Sequence, residues 1–239
     1  MDYKSKIILI AGPTASGKSK IAINLAKKIN GEIVNADSMQ VYKQLKILTA
    51  RPTGEDRKNI KHYLFGIIDV RKRFSTGQWL KECTKTINLI RKRKNVPIIV
   101  GGTGLYFKAL VDGLVRIPKF KSSDKNKILK LHNKLGQNQF YKKLIKLDPI
   151  SKKFVNPNDV NRSIRAYEVK KLTKKSLYKW FNETETYFDK NDFVMTYVDY
   201  PRDKLIINIK KRIDRMFDLG AIKEVRKFNL IKIKKLNSV

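Results

Sequence analysis

Apolar residues along this chain gather into short runs separated by stretches of helical spacing. Ile7–Ala11 (IILIA) is uninterrupted and apolar, which predicts a buried strand, and Lys18–Ile29 recurs at the three-to-four-residue period of a helix. Glu32–Asn35 (EIVN) predicts a second short strand, and a polar, turn-rich loop runs on through Gly54. His62–Val70 (HYLFGIIDV) is apolar enough to hold another strand. Thr76–Lys94 predicts an amphipathic helix, with Trp79, Cys83, Ile87 and Ile90 on one face. Pro97–Val100 (PIIV) predicts a buried strand closed by Gly101-Gly102, and a helix begins at Leu105–Leu110. Strands alternating with helices predict an α/β fold, a parallel sheet wrapped by helices.

Beyond Gly113 the pattern changes. Residues 114–190 carry Lys-rich helical spacing with no convincing strand, which predicts a helical insertion. Phe193–Tyr200 (FVMTYVDY) returns to β-branched and aromatic residues, and Arg202–Phe228 reads as a long basic helical stretch interrupted near Gly220. The organisation expected is a core of residues 1–113 and 191–239 around an insertion at 114–190. The tail Ile231–Val239 is basic and gives no fold signal.

Residues Gly12, Pro13, Thr14, Ala15, Ser16, Gly17, Lys18 and Ser19 form the phosphate-loop pattern G-x-x-x-x-G-K-[ST], set between the first strand and its helix. Small residues let successive backbone N–H groups turn inward around phosphate oxygens, and the helix N-terminus adds partial positive charge. Lys18 can reach a terminal phosphate, and the Ser19 hydroxyl can ligate Mg²⁺. This strand–loop–helix context predicts a P-loop NTPase-like core that binds a di- or triphosphate.

Charge adds a partner. The 239 residues include 54 Lys and Arg against 21 Asp and Glu, a net charge of +33, which attracts polyanions and points to nucleic acid. Low-G+C coding also enriches Lys, but it would enrich acidic residues alongside. No apolar stretch approaches the roughly 20 residues of a membrane span, so no membrane partner is expected. The chain enters its first strand without room for a signal peptide. The single cysteine, Cys83, excludes an internal disulfide and fits ordinary helix packing. A cytoplasmic protein is the expectation.

Two strand ends carry further chemistry, since open α/β sheets bind ligands there. Asp37, followed by Ser38, Met39 and Gln40, could hold Mg²⁺ through water or act as a base; it could equally be a loop or capping residue. Gly101-Gly102-Thr103-Gly104 lets backbone approach a ligand and offers a hydroxyl, or is simply a tight turn.

Taken in order, GPTASGKS, DSMQVYKQLKILTARPT (37–53), HYLFGIIDV, FSTGQW (74–79), PIIVGGTGLYFKAL (97–110), Asp148-Pro149, NDVNRSIRAYEV (158–169) and the Arg202-led helix resemble the tRNA dimethylallyltransferases, or tRNA isopentenyltransferases. The resemblance spans roughly residues 6 to 228. It implies transfer of a dimethylallyl group from dimethylallyl diphosphate to the exocyclic amine of the adenosine just 3′ of the anticodon, in tRNAs reading codons that start with U. It implies that the phosphate loop holds the diphosphate leaving group and that Asp37 accepts the amine proton. It gives Ser19 a part in Mg²⁺ and leaving-group binding, Thr103 a contact to the adenosine, and Arg202 a pairing with diphosphate. It also implies tRNA contacts from Asp37–Gln40, from Thr103, and from Asn161, Arg162, Ser163, Ile164 and Arg165, with Lys127 the nearest match to a basic residue early in the insertion. A monomer acting on tRNA is expected.

The chain departs from the family pattern in places. Tyr167 stands where Leu is common and Asn208 where Arg is common. Family members continue through a further helical segment with a Gly-Tyr motif, so the resemblance implies a chain short at its C-terminus. Phe217, Val225 and Phe228 would then be partly bare, with lowered stability and a weaker grip on tRNA. Two other functions stay open on the residues alone: an ATP-dependent small-molecule kinase, and a catalytically weak tRNA-binding remnant.

Overall fold

A computed structural model describes residues 3, 5–57 and 59–231. The chain forms two compact units, one of residues 1–111 with 186–239 and the other of residues 112–185.

The first unit is built on a five-stranded, all-parallel sheet in the order β3-β2-β4-β1-β5. Its strands are β1 (Ile7–Ala11), β2 (Gly31–Asn35), β3 (His62–Tyr63), β4 (Val96–Gly101) and β5 (Phe193–Tyr197). The helices of this unit are α1 (Lys18–Ile29), α2 (Gly54–Arg57), α3 (Thr76–Lys92) and α4 (Gly104–Asp112), the last running one residue past its boundary, with α8 (Arg202–Asp218) and α9 (Ala221–Asn229) after β5; α5 (Ser122–Leu147), α6 (Val160–Thr173) and α7 (Leu177–Trp180) belong to the other unit. Continuous apolar runs suit strands buried on both faces. In register, Ile8, Ile10, Ile33, Ile98 and Val100 face α1, where Ala22, Ile23 and Ala26 complete one core. Alternate positions, including Leu9, Val34 and Ile99, are also buried, and α3 packs against β2 and β4 with Trp79, Cys83, Ile87 and Ile90 fully buried. Burial pushes the Cys83 thiol well above its ordinary range, so the cysteine is inert packing.

Several expectations shift in detail. The His62–Val70 run yields only a two-residue strand; its remainder turns, with Leu64 and Gly66 both at positive φ. The short helix α2 lies in what reads as the end of a polar loop. The Arg202–Phe228 stretch breaks where expected, with Gly220 at φ 92 and its N–H bonded to the Phe217 carbonyl. On α8 and α9, Phe217 is 57% and Val225 37% exposed, while Phe228 is half-buried. The tail lies outside the described residues apart from Ile231. Among the described residues, no helix is long and apolar enough to cross a membrane.

One buried charge ties the sheet together. Glu32, on β2, accepts hydrogen bonds from Arg93 Nη2 (2.7 Å), Tyr63 Oη (2.6 Å) and Asn95 Nδ2 (2.6 Å). Burial is the largest influence on its carboxyl and acts to raise it, but the bonds from Arg93, Tyr63 and Asn95 together outweigh burial and hold it below the ordinary carboxylate range. A depressed folded-state value contributes stability above the unfolded value, and that stability is lost as pH falls through the folded one. Glu32→Gln should therefore cost about 1–3 kcal/mol at neutral pH and converge with the parent in acid. Urea unfolding across pH checks this; parallel pH profiles would assign the acid sensitivity elsewhere.

The second unit is helical. It contains α5 (Ser122–Leu147), bent at Gly136 with φ 71, then α6 (Val160–Thr173) and α7 (Leu177–Trp180). Ile128, Phe140, Leu144, Val155, Ala166, Val169 and Leu177 form its core. Tyr167 takes its place there, its ring 5.0 Å from that of Phe140. Buried Asp148 accepts from the hydroxyls of Ser151 (2.9 Å) and Ser176 (2.8 Å), which fixes the chain leaving α5. The strand-free expectation holds among the described residues apart from one isolated bridge, Leu114 to Glu185.

Candidate functional site

The C-terminal ends of β1, β2 and β4 surround a cavity of about 370 Å³. The phosphate loop forms one wall through Thr14, Ala15, Gly17, Lys18 and Ser19. Ala15 (φ 64) and Gly17 (φ 81) take left-handed backbone, the alternation that turns successive N–H groups toward a common centre. Gly12 sits so close to the segment following β5 that an added Cβ would lie 3.0 Å from the Val198 carbonyl oxygen. The Ser16 hydroxyl is buried and has no hydrogen-bond partner among the described residues. A buried orphan hydroxyl within an anion-binding loop fits a ligand oxygen.

Asp37 is placed by β2. Asn35 at the strand's end is fully buried; its Oδ1 accepts the Asp37 N–H (3.0 Å), its Nδ2 donates to the Asp37 carbonyl (2.9 Å), and its own carbonyl accepts Trp79 Nε1 (2.8 Å). Asp37 Oδ1 in turn accepts the N–H of Met39 (2.9 Å), and Asp37 lines the cavity. The loop after β4 is stitched to this turn. The Thr103 hydroxyl accepts the Ser38 N–H (2.9 Å), and the Thr103 N–H donates to the Ala36 carbonyl (3.1 Å). Gly101 is required here, since an added Cβ would lie 2.1 Å from the Ala36 carbonyl oxygen. Behind them Tyr106 stacks on Trp79 with centroids 4.2 Å apart, and burial, aided by Tyr42 and Asp37, pushes its hydroxyl up to about 12.

Helix α8 closes the cavity, with Asn208, Lys211 and Arg212 on its inner face. Asn208 Nδ2 donates to the Ala15 carbonyl (3.3 Å) and Arg212 Nη2 to the Thr49 carbonyl (3.3 Å). Burial, the largest influence, lowers both Lys18 and Arg212, and the carboxylate of Asp37 opposes it in each case. Two half-buried cations thus share one anion, an imbalance that suits a bound polyanion. A second cavity of about 400 Å³ adjoins the first, sharing Thr14, Asp37 and Arg212, and its other walls are mostly apolar: Met39, Leu45, Leu48, Ile209, Ile213 and Met216.

The structure thus brings Asp37, Gln40, Lys18 and Ser19 to one cavity, whereas Thr103 and Ser38, bonded to each other, are not among its lining residues. Arg202 is not among the lining residues; it is exposed at the first position of α8, and Arg212 lines the cavity instead. Little in the sequence pattern singles out Arg212, because α8 is dense in basic residues. The available signal was the Asn208–Arg212 spacing, one turn apart on a single face. In the helical unit Lys127, Asn161, Arg162 and Arg165 are exposed. Ser163 is fully buried and its hydroxyl accepts Gln137 Nε2 (3.1 Å), and Ile164 packs on the core. Arg165 pairs with Glu168 and Arg162 with Asp159.

Comparison with known proteins gives a consistent result. The profile of the family described as IPP transferase matches residues 40–238. A tRNA dimethylallyltransferase of Pelagibacter ubique (strain HTCC1062) is 55% identical over the full 239 residues, which span 76% of its length. One of Caulobacter sp. (strain K31) is 40% identical over 93% of this chain and 72% of its own. Among solved structures, a eukaryotic dimethylallyltransferase acting on tRNA superposes with a TM-score of 0.81 at 31% identity, covering 94% of this chain and 56% of that one. The full-length tRNA isopentenylpyrophosphate transferase of Bacillus halodurans gives 0.65 at 34% identity, with 98% and 73% covered. With a family match over most of its length and a close relative along all of it, the chain belongs to the IPP transferase family.

Proposed function

We propose that the chain transfers the dimethylallyl group of dimethylallyl diphosphate to the exocyclic amine of the adenosine 3′ of the anticodon in tRNA. The observation that carries this reading is the pairing of a cationic cavity with an apolar one, meeting at Asp37. A diphosphate suits the first and a branched five-carbon group the second, an arrangement that would put the bond to be broken beside the carboxylate. A kinase acting on a small polar acceptor has no use for the apolar half. The named activities of the Pelagibacter and Caulobacter relatives agree with the proposal.

In the reaction the amine nitrogen attacks the allylic carbon. The carbon–oxygen bond breaks and its electron pair leaves on diphosphate, while Asp37 accepts the amine proton. Charge grows on the leaving group, where the loop N–H groups, Lys18 and Arg212 stand ready to receive it. The donor set also fits Mg²⁺. That ion prefers oxygen ligands, and one or two protein groups with diphosphate oxygens and water are enough to hold it; here the Ser19 hydroxyl and the Asp37 carboxylate would serve. When bound, it would supply further charge neutralisation at the diphosphate.

Reaching an adenine requires taking it out of the anticodon stack, at a cost of a few kcal/mol. Exposed Lys127, Asn161, Arg162 and Arg165 are proposed to hold the tRNA, and Met39, 47% exposed beside Asp37, to meet the displaced base. Ser163 and Ile164 are proposed to support that helix rather than touch RNA. Incubating the protein with tRNA, dimethylallyl diphosphate and Mg²⁺ should yield isopentenyladenosine on nuclease digestion. Phosphate transfer from ATP without any prenylated nucleoside would replace this reading with the kinase.

A further inference from the structure

The turn at residues 45–51 is held from outside by a single carboxylate. Glu224, on α9, accepts three successive backbone N–H groups: Lys46 at 2.7 Å and Ile47 at 2.9 Å on Oε1, and Leu48 at 2.9 Å on Oε2. Ile47 also reaches Oε2 at 3.1 Å. The next residue is the one that matters to the cavity. The Thr49 carbonyl accepts Gln40 Nε2 (2.8 Å) from the turn that carries Asp37, and Arg212 Nη2 (3.3 Å) from α8. Ala50, at φ 46, lines the cavity itself.

We infer that Glu224 is a positioning residue: a latch on the 46–48 amides that sets the Thr49 carbonyl, and through it the guanidinium of Arg212 and the side chain of Gln40. A carboxylate is the side chain this task needs. Three convergent donors require several acceptor lone pairs, and an amide would turn an NH₂ group toward donors on one side. The bonds are charge-assisted and so stronger than neutral ones. The turn has its own internal bonds, Thr49 Oγ1 to the Leu45 carbonyl (2.6 Å) and the Arg51 N–H to the Lys46 carbonyl (3.0 Å), so it can persist without Glu224 but lose its fixed position. The consequence for activity rests on the diphosphate reading above; the latch itself does not.

Two measurements on the full chain test this. The first is hydrogen exchange of the amides of residues 46–48 in the parent and in Glu224→Gln, which should quicken by about tenfold or more as the local opening becomes easier. Unchanged exchange overturns the latch. The second is a double-mutant cycle read by the affinity for inorganic pyrophosphate, using Glu224→Gln and Arg212→Ala. Glu224→Gln alone should weaken binding about fivefold to twentyfold, and should add little once Arg212 is gone, since coupled residues are non-additive. The same loss in both backgrounds would mean Glu224 acts on general stability and would overturn the positioning role. A parent chain that binds no pyrophosphate overturns both the diphosphate reading and the positioning role, while the exchange result still decides the latch.

Discussion

Asp37→Asn is expected to lower the single-turnover rate of prenyl transfer by about 10²–10⁴-fold, the usual contribution of a positioned general base. The substitution is informative because its structural cost is small. Asp37 Oδ1 accepts the Met39 N–H, and an Asn amide oxygen can do the same, so the turn that presents Ser38, Met39 and Gln40 should survive. The Asn35 bonds that seat this turn involve only the Asp37 backbone. What the variant loses is the charge that accepts the amine proton. It also removes the anion that Lys18 and Arg212 share, so metal-free pyrophosphate, whose binding does not draw on the carboxylate as a Mg²⁺ ligand, should bind as well as before or more tightly. A rate loss joined to undiminished pyrophosphate and tRNA affinity is the expected signature. A near-normal rate would reassign Asp37 to holding its turn.

Much of this fold is legible in the sequence because its central strands, β1, β2 and β4, are buried on both faces. A run such as Ile7–Ala11 or Pro97–Val100 has few alternatives to a central parallel strand, and β1 and α1 fall where their patterns place them. The His62–Val70 run misleads for the same reason. Its apolar residues pack from turns, and Asn35 Nδ2 bonding to the Leu64 carbonyl captures a backbone group that a longer strand would have used. Apolarity reports burial and does not separate strand from packed loop.

The site divides along a similar line. The phosphate loop and Asp37 can be read locally, because glycines and a lone carboxylate at strand ends stand out from their surroundings. The contributions of α8 and α9 cannot. Arg212 is one of many cations on a basic helix, and Glu224 gains its role only when the fold carries it to amides 176 to 178 residues earlier in the chain. Asn208, which reads as a departure from the family pattern, finds a partner in the Ala15 carbonyl at the phosphate loop.

The second large effect concerns which arginine of α8 meets the diphosphate. Arg212→Ala should reduce the single-turnover rate by about 10²–10³-fold, the scale of losing one preorganised donor to developing charge, while Arg202→Ala should have a much smaller effect. The helix decides the comparison: at about 1.5 Å of rise per residue, Arg202 lies roughly 15 Å along the axis from Arg212. Arg202 is exposed there, whereas Arg212 is half-buried against Thr49, with Asp37 close enough to influence its charge. Arg212→Lys should fall between the two, because it keeps a cation but loses the planar fork that can bond Thr49 and a phosphate oxygen together. The loss should appear mainly in rate at saturating substrate, since charge on the leaving group is greatest in the transition state. If Arg202→Ala proves the damaging change and Arg212→Ala is tolerated, the diphosphate is held from the start of α8, and the cavity beside Arg212 has another use.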